Sequence, residues 1–319
     1  MSRLKHLYTP LLLALMAYGL LASCSSDDDS SASPATHSSN ANRNDITLEP
    51  ALSRLEFPKV RGGQNNIVII HSTQDSYGIN FSTEWDIDKK AQRWSCYQMV
   101  SGWPTGNYDS DFMDDPDLRS AFRLQDARSY YSGSGFDRGH ICPSADRRYS
   151  KLANQQTYYY TNMQPQYHMF NAGPRLANGN QDWNRKSPWL RLEEQVRSWT
   201  KTIKTTQVDT LYVCKGGTIE DHQLLQTNLY PDGLIKGVLR IPRYFFVALL
   251  AKTRTGHRAI GFWIEHDNAD HSGDALSSYA CNIRELERLT GIDFFCNLPD
   301  DTEDHVESLP IENVKRAWF

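Results

Sequence analysis

The sequence predicts an α+β fold in which a central antiparallel β-sheet is flanked by helices. Runs rich in aromatic and β-branched residues, each of strand length, recur along most of the chain and are interleaved with a few helix-like segments. The 319 residues, 39% of them hydrophobic, are enough to bury a large core. The formal net charge of -4 excludes a chain that is basic throughout, so contact with nucleic acid would need a local cationic patch.

The chain begins with features of an export signal. Arg3 and Lys5 precede an apolar run from Leu11 to Leu21, which is too short to span a bilayer. The run ends in Leu21-Ala22-Ser23-Cys24, which looks like a bacterial lipobox. Residues 1–24 are therefore predicted to be a signal peptide, with Cys24 as the lipid-modified first residue of an outer-membrane lipoprotein. The alternative is a plain cleaved signal in which Cys24 is incidental.

Residues 25–60 are predicted to be a flexible tether. From Ser25 to about Asp45 the side chains are mostly Ser, Asp, Asn and Thr, and they bury too little apolar surface to offset the entropy of ordering. The acidic run Asp27-Asp28-Asp29 resembles the leader of surface-exposed lipoproteins, which favours exposure at the cell surface. The globular domain is predicted over residues 61–319.

Within this domain, two helices have clear boundaries. Ser187 suits an N-cap and Pro188 a first turn, and apolar residues recur at helical spacing from there to Lys201. A second helix begins near Asn282 and ends before Gly291. Strands are predicted over residues 67–70, 93–100, 157–163, 210–213, 244–250 and 259–265.

Five cysteines follow Cys24, and the sequence favours buried thiols over disulfides. Their number is odd, no CxxC pair occurs, and several stand in apolar strings. Zinc ligation by these cysteines is not expected.

The densest group of reactive side chains is Gly135-Phe136-Asp137-Arg138-Gly139-His140, followed by Pro143-Ser144-Ala145-Asp146-Arg147. A histidine accepts a proton near neutral pH, and an arginine holds phosphate through a fork of N–H donors. Glycine allows close approach of the backbone to a ligand. These residue types suit hydrolysis of a phosphodiester.

This string resembles the signature of the DNA/RNA non-specific endonucleases, which belong to the ββα-metal (His-Me finger) superfamily. Three further segments are similar to parts of the same family: Thr161–Gln166, Trp189–Glu193 and Leu289–Pro299. The resemblance implies a central sheet with a ββα-metal catalytic motif. It also implies cleavage of DNA and RNA to 5′-phosphate and 3′-hydroxyl ends, with Mg²⁺ as cofactor and Mn²⁺ as a substitute.

The resemblance also implies roles for individual residues. His140 would be the general base, and Arg138 and Arg197 would hold phosphate. Glu193 would order water at the metal, and Asp137 would orient those waters or its neighbours. Without the resemblance, Glu193 and Arg197 would be interpreted as an i,i+4 ion pair on one helix face, worth about a few tenths of a kcal/mol.

Two asparagines compete for the role of metal ligand. The family places this residue a few positions after the Pro-Gln step and a few before the Trp-x-x-Leu-Glu helix, but roughly a dozen extra residues intervene here. Asn171 keeps the distance from Gln166, and Asn184 nearly keeps the distance to Trp189. Asn184 is preferred because the ligand and Glu193 must meet at one cation, and Asn171 is the alternate.

The charge distribution supports contact with nucleic acid. Residues 137–204 contain eleven Lys or Arg against five Asp or Glu, a formal +6 in a chain of -4. Two other functions stay open: a surface lipoprotein that binds nucleic acid or glycan without cutting, and a phosphodiesterase for small phosphoesters. A rival metal site at Glu265-His266-Asp267 with His271 is better explained as a polar loop.

Overall fold

The structure is a computed structural model that describes residues 39–47, 49–73 and 76–319. The predicted signal peptide, Cys24 and residues 25–38 of the predicted tether lie outside the described residues. Within the described ranges, no helix combines the length and the apolar character that crossing a bilayer requires.

Antiparallel strands form the centre of the fold, as predicted. Their bounds are Asn66–Ser72 (β1), Ile79–Asp86 (β2), Ala91–Met99 (β3), Asp137–His140 (β4), Met163–Gln166 (β5), Thr202–Ile203 (β6), Thr206–Gly217 (β7), Leu234–Ile235 (β8), Leu239–Arg240 (β9), Tyr244–Thr253 (β10), Gly256–Glu265 (β11) and Ala280–Cys281 (β12). The large sheet has the order β1-β2-β3-β7-β10-β11-β12, with β6 also paired to β7, while β4–β5 and β8–β9 form separate two-stranded sheets.

Helices cover both faces of the large sheet. Their bounds are Ala127–Tyr131 (α1), Lys151–Gln156 (α2), His168–Asn171 (α3), Pro188–Trp199 (α4), Ile283–Thr290 (α5), Asp300–Ser308 (α6) and Ile311–Trp318 (α7). The two predicted helices are α4 and α5. Their predicted N-terminal signals are confirmed: the side chains of Ser187 and Asn282 accept hydrogen bonds from the backbone of the first turn.

Strand β10 shows how the sheet separates two cores. Successive side chains of a strand point to opposite faces. Val247 and Leu249 pack with α4 and α7 in one cluster, whereas Ala248 and Leu250 pack with α5 and α6 in the other. All four are fully buried, which explains the continuous apolar run in this strand. The α4 side of the sheet carries the β4–β5 hairpin, because Ile141 belongs to the same cluster as α4.

The predicted strand over residues 157–163 is wrong for most of its length. The chain there follows α2 and makes a 3₁₀ turn at Tyr160–Asn162, and only Met163 begins the strand β5. An aromatic run such as Tyr158–Tyr160 is typical of a buried strand. Here these side chains pack inward from a turn instead. Tyr158 packs edge-on against His140, and Tyr159 packs against His71.

The five described cysteines are free thiols. Four are buried, and Cys281 is half-buried. Cys96 and Cys214 face each other in the register of β3 and β7, inside the apolar cluster on the α5 side. Burial raises the pKa of both thiols well above the ordinary value, so they behave as small apolar side chains.

The predicted tether needs a correction, because residues 39–47 and 49–60 pack on the domain. Asn44 is 2% exposed, and its Nδ2 donates to the carbonyl of Pro58. Phe57 is fully buried edge-on against Trp94, with ring centroids 6.0 Å apart. The amino-acid composition predicted a tether because composition carries no information about specific contacts. Here the contacts are hydrogen bonds made by asparagines and the burial of two apolar side chains, Leu52 and Phe57.

Carboxylates crowd together where this N-terminal segment meets α5 and α6. We call Glu287, Asp293, Glu303 and Glu307 the C-terminal acidic cluster. Asn42 donates from Nδ2 to Asp293 (3.0 Å) and to Glu303 (2.9 Å). Burial raises the pKa of Glu287 and Glu303 to about 7 and that of Glu307 to about 9, and neighbouring carboxylates add to the effect.

Candidate active site

The signature residues line one open cavity of about 490 Å³. Asp137, Arg138 and His140 come from β4, and Asn171 comes from the end of α3. Segment 112–136 supplies the rest of the wall, with Phe112, Arg128, Tyr131, Ser132 and Phe136. Residues from three separate stretches of chain therefore surround one space large enough for a phosphodiester and its neighbouring sugars.

Pairing of β4 with β5 leaves no room for a side chain at position 139. The strands are antiparallel, with Gly139 opposite Gln164. A Cβ atom on Gly139 would lie 2.1 Å from the side chain of Gln166, which is fully buried and has no room to move. Glycine is therefore required between Arg138 and His140 so that Gln166 fits beneath the strand.

His140 is a half-buried side chain in the cavity wall. Its ring packs against Tyr158 and Phe112, with centroid distances of 5.0 and 5.7 Å. Neither ring nitrogen has a hydrogen-bond partner among the described residues, and Nε2 is inaccessible. Burial lowers the pKa of His140 to about 4, and Lys215 also lowers it. The imidazole is therefore neutral at pH 7, which is the state that a general base needs.

The structure places Asn184, the ligand preferred from the sequence, outside the cavity. Asn184 is exposed in the loop 173–186 and is absent from the cavity wall, whereas Asn171 lines the cavity. The residues on either side of the loop are joined by a hydrogen bond, in which Ser187 N donates to Ala172 O (3.1 Å). Gly173 permits this closure with φ +107°, since a Cβ there would lie 2.4 Å from Arg185 O. The inserted residues therefore leave Asn171 next to the start of α4.

Asp137 holds the Asn171 amide in place. Asn171 Nδ2 donates to Asp137 Oδ2 (3.1 Å), and His168 Nδ1 lies 2.7 Å from the same oxygen. Asn171 Oδ1 makes no hydrogen bond to any described residue, which leaves it free to bind a ligand in the cavity. The role predicted for Asp137, orienting its neighbours, agrees with these contacts.

Glu193 is not on the cavity wall. Its Oε1 accepts a hydrogen bond from Lys215 Nζ (2.9 Å), and both side chains are nearly buried. Burial raises the pKa of Glu193, while Lys215 opposes the rise. The ammonium also lies 4.2 Å from the Trp189 ring centre. The partner of Glu193, Lys215, is thus on β7, and no pattern in the sequence of that strand predicts the pairing.

Arg197 is also outside the cavity. Its Nη1 donates to Asp146 Oδ1 (2.8 Å), and Asp146 in turn accepts from the hydroxyl of Tyr97 (3.0 Å). Arg197 lines a neighbouring cleft together with Trp103 and Arg148. Glu193 and Arg197 therefore each pair with another residue, and they do not form the i,i+4 ion pair that their spacing allowed.

Arg128 is the cavity residue that sequence reasoning missed. It is exposed on α1, and neither Arg128 nor Arg138 forms an ion pair within the part of the chain that the structure describes. Arg138 instead lies over the ring of Phe112, 4.2 Å from its centre. Two guanidinium groups are thus available to an anion. No motif surrounds Arg128, so only the folded arrangement reveals it.

Two other groups of metal-binding side chains make several contacts with the protein itself. His71, Asp115 and Asp117 lie close together, but the Asp115 carboxylate already accepts from His71, from Thr161 and from the backbone of Asp117.

At the rival site, His266 contacts the carbonyl of Pro242 (2.7 Å) and accepts from the backbone of Tyr167 (2.8 Å). His271 pairs with Asp267 and Asp274. Both nitrogens of each histidine are engaged, so the polar-loop interpretation agrees with these contacts.

Comparison with known proteins identifies the family. The sequence pattern of the DNA/RNA non-specific endonucleases matches residues 63–301, which is most of the chain. The chain belongs to this family. Nuclease C1 of Cunninghamella echinulata var. echinulata is 30% identical over 195 residues, which cover 60% of this chain and 69% of that protein. A nuclease of Nostoc sp. is 27% identical over 252 residues, covering 74% of this chain and 79% of the relative.

Endonuclease G of Bos taurus mitochondria is similar over a shorter stretch, with 27% identity across 60% of this chain and 58% of that protein. The crystal structure of an EndoG/EndoGI complex matches with a TM-score of 0.54 and 20% identity, covering 75% of this chain and 91% of the other. This structural likeness confirms the α+β fold with the ββα-metal motif. The family and its members confirm that this endonuclease hydrolyses nucleic acid.

Family members depend on a divalent metal, and the cavity offers suitable groups. Hard cations such as Mg²⁺ bind oxygen atoms and keep several of their waters, so few protein ligands are needed. The free Oδ1 of Asn171 is such an atom, and the carboxylate of Asp137 stands beside it. The donor set therefore fits a hydrated hard cation.

Proposed function

We propose that this endonuclease uses His140 as general base and Asn171 as ligand of one Mg²⁺ ion, with Mn²⁺ as a substitute. It would cut DNA and RNA with little sequence preference, leaving 5′-phosphate and 3′-hydroxyl ends. The observation that carries the proposal is the single cavity that contains Asp137, Arg138, His140 and Asn171.

In this proposal one side chain transfers a proton, and two others bind the charged phosphate. His140, neutral at pH 7, accepts a proton from the water that attacks phosphorus in line with the leaving oxygen. Arg138 and Arg128 bind the phosphate oxygens, because both are free of carboxylate partners among the described residues. The bond from phosphorus to the 3′ oxygen breaks, and that oxygen takes its proton from solvent.

Asn171 would hold the cation, with Asp137 keeping its amide oriented. When bound, a divalent cation neutralises charge on the scissile phosphate and on the leaving oxygen. Glu193 and Arg197 have a supporting part in this scheme. Glu193 binds Lys215, whose charge lowers the pKa of the base, and Arg197 contributes positive charge to the adjoining cleft.

Nicking of supercoiled plasmid tests the proposal directly. His140→Ala should slow nicking by about 10² to 10⁴-fold, the contribution of a general base, while DNA affinity and the melting temperature stay unchanged. His222→Ala, an exposed histidine elsewhere on the chain, is the matched control. EDTA should abolish nicking by the wild type. Full activity in His140→Ala would refute the base assignment, and no nicking at high enzyme would favour a protein that only binds.

We also propose that the chain is exported and anchored to the outer membrane through a lipid on Cys24. The support is the sequence pattern of residues 1–24 and the acidic run that follows. Labelled palmitate should be incorporated into the wild type and not into Cys24→Ser. Labelling of Cys24→Ser would contradict the assignment.

A further inference from the structure

The inserted loop 173–186 contacts the active site through one histidine. Gln181 Oε1, in the loop, lies 3.1 Å from Nε2 of His168, whose Nδ1 lies 2.7 Å from Asp137 Oδ2. That same oxygen accepts from Asn171 Nδ2 (3.1 Å). A continuous path of hydrogen-bond contacts therefore connects the loop to the asparagine in the cavity.

The loop end of this path is rigidly held. Gln181 Nε2 donates to the carbonyls of Ala172 and Pro174, each at 3.2 Å, so the amide oxygen of Gln181 is turned towards His168. Backbone pairing between Arg175 and Gln181 closes the loop upon itself. Arg175 also places Nη2 3.1 Å from His168 Nδ1, beside the carboxylate of Asp137. With Nδ1 donating to Asp137, the ring of His168 is held between Asp137 on one nitrogen and Gln181 on the other.

The active-site end decides which atom of Asn171 faces the ligand. A free asparagine amide can turn over, presenting either Nδ2 or Oδ1 to the cavity. Asp137 accepts hydrogen bonds and cannot donate them when ionised, so it selects Nδ2 as its partner and leaves Oδ1 for the cavity. His168 in turn fixes the carboxylate of Asp137, because both contacts fall on the same oxygen.

We propose that His168, held by Gln181 of the inserted loop, is a positioning residue that presents the Asn171 oxygen to the metal. The inference rests on the proposed role of Asn171 as ligand. It gives the loop, which is an addition to the family pattern, a function in metal affinity. Groups that orient a metal ligand commonly change affinity by about 10 to 100-fold when they are removed.

Calorimetric titration of the full chain with Mn²⁺, without nucleic acid, tests this inference. His168→Leu should weaken Mn²⁺ binding about tenfold or more, and His168→Asn should restore most of it, because its Nδ2 replaces Nδ1 as donor to Asp137. Trp183→Ala is the matched control, since Trp183 belongs to the same loop, is 67% exposed and takes no part in the path. Its Kd for Mn²⁺ should equal that of the wild type.

Asn171→Ala separates failure of this inference from failure of the proposed function. If Asn171→Ala loses Mn²⁺ binding while His168→Leu binds like the wild type, the positioning role is wrong and the ligand assignment stands. If Asn171→Ala itself binds normally, the ligand assignment fails and the positioning role fails with it. Should His168→Leu not fold, Gln181→Leu is titrated instead, with an expected loss of affinity, and wild-type affinity in that folded variant overturns the inference.

Discussion

His140 owes its chemistry to what surrounds it. An exposed histidine is half protonated near pH 6.5, whereas this ring is packed against Tyr158 and Phe112 and has Lys215 nearby. Burial and the ammonium both disfavour the protonated form, and Arg138 acts in the same direction. Asp109 opposes them, with an effect smaller than that of burial or of Lys215. The base is therefore deprotonated at neutral and mildly acidic pH.

This environment predicts the pH dependence of cleavage. Because His140 acts when deprotonated and its pKa is lowered to about 4, activity should fall on the acid side with a midpoint near pH 4 rather than near 6.5. Steady-state kcat/KM for a short duplex, measured from about pH 3 to pH 8 at saturating metal, checks this. An acid limb centred at 6.5 would show that the ring is solvated in the working enzyme.

The two asparagines predict different phenotypes. Asn171→Ala should raise the Mg²⁺ concentration needed for half-maximal nicking by about tenfold or more, because the cavity loses its free amide oxygen. Asn184→Ala should leave that concentration unchanged, since its side chain is exposed in the loop. A metal titration of nicking rates in the two variants makes the comparison, and the reverse pattern would restore the original preference for Asn184.

At the residue scale, the sequence places neighbours in the chain in one cavity but carries no information about their distant partners. Asp137, Arg138 and His140 are neighbours in the chain, so one strand brings them to one cavity. The choice of asparagine depended on where the inserted loop closes, and the hydrogen bond from Ser187 to Ala172 cannot be seen in spacing. Lys215 and Asp146 pair with Glu193 and Arg197 from distant segments, for which a linear pattern carries no signal.

Helix α4 and strand β7 meet at a buried ion pair. Lys215 Nζ and Glu193 Oε1 are 2.9 Å apart, with side chains only 3% and 13% exposed. Removing one member of such a pair leaves the other charge unpaired in a poorly solvated place, which costs more than removing both. The pair therefore couples α4 to the central sheet.

Unfolding experiments on this contact have a definite expected result. Lys215→Met should lower the free energy of unfolding by about 3 kcal/mol, and Lys215→Met combined with Glu193→Leu should recover much of the loss. Urea denaturation of the two single variants and the double variant measures the coupling. Strictly additive losses would mean that the two side chains act independently.

Helices and strands that a distinctive sequence pattern marks were predicted, and those whose pattern fits more than one structure were not. Helix α4 has an N-cap, a proline in its first turn and apolar residues at helical spacing, and β10 is a continuous apolar run. The aromatic run at 158–160 fits a buried strand and a buried turn equally well, because burial alone decides its composition. Strand β2 is an addition to the predicted set.

Across the whole molecule, the C-terminal acidic cluster sets a limit on stability at high pH. Glu307 is 2% exposed, and its Oε2 lies 3.8 Å from Arg284 Nη2. An acid whose pKa is raised in the folded state favours folding below its unfolded pKa of 4.5. That contribution is lost as pH rises towards the folded pKa of about 9.

Glu307→Gln should therefore stabilise the protein at alkaline pH and change little at pH 5. At pH 9 the gain in free energy of unfolding should be about 2 kcal/mol, since the amide carries no charge to be desolvated. Thermal melts at pH 5, 7 and 9 compare the two proteins. A stabilisation that is equal at all three values would exclude ionisation of Glu307 as its cause.

The N-terminal segment that packs on the domain also determines where a pulling force would act. Ser39 and Ala41 both hydrogen-bond to Asp300, and Asn40 donates to the carbonyl of Leu298. A load applied to the chain before residue 39 therefore meets the start of α6 first. The β4–β5 hairpin and α3 share no hydrogen bond with these residues. If the enzyme were held at its N-terminus while a long nucleic acid pulled on it, the hydrogen bonds of residues 39–41 would therefore break before the active site was distorted.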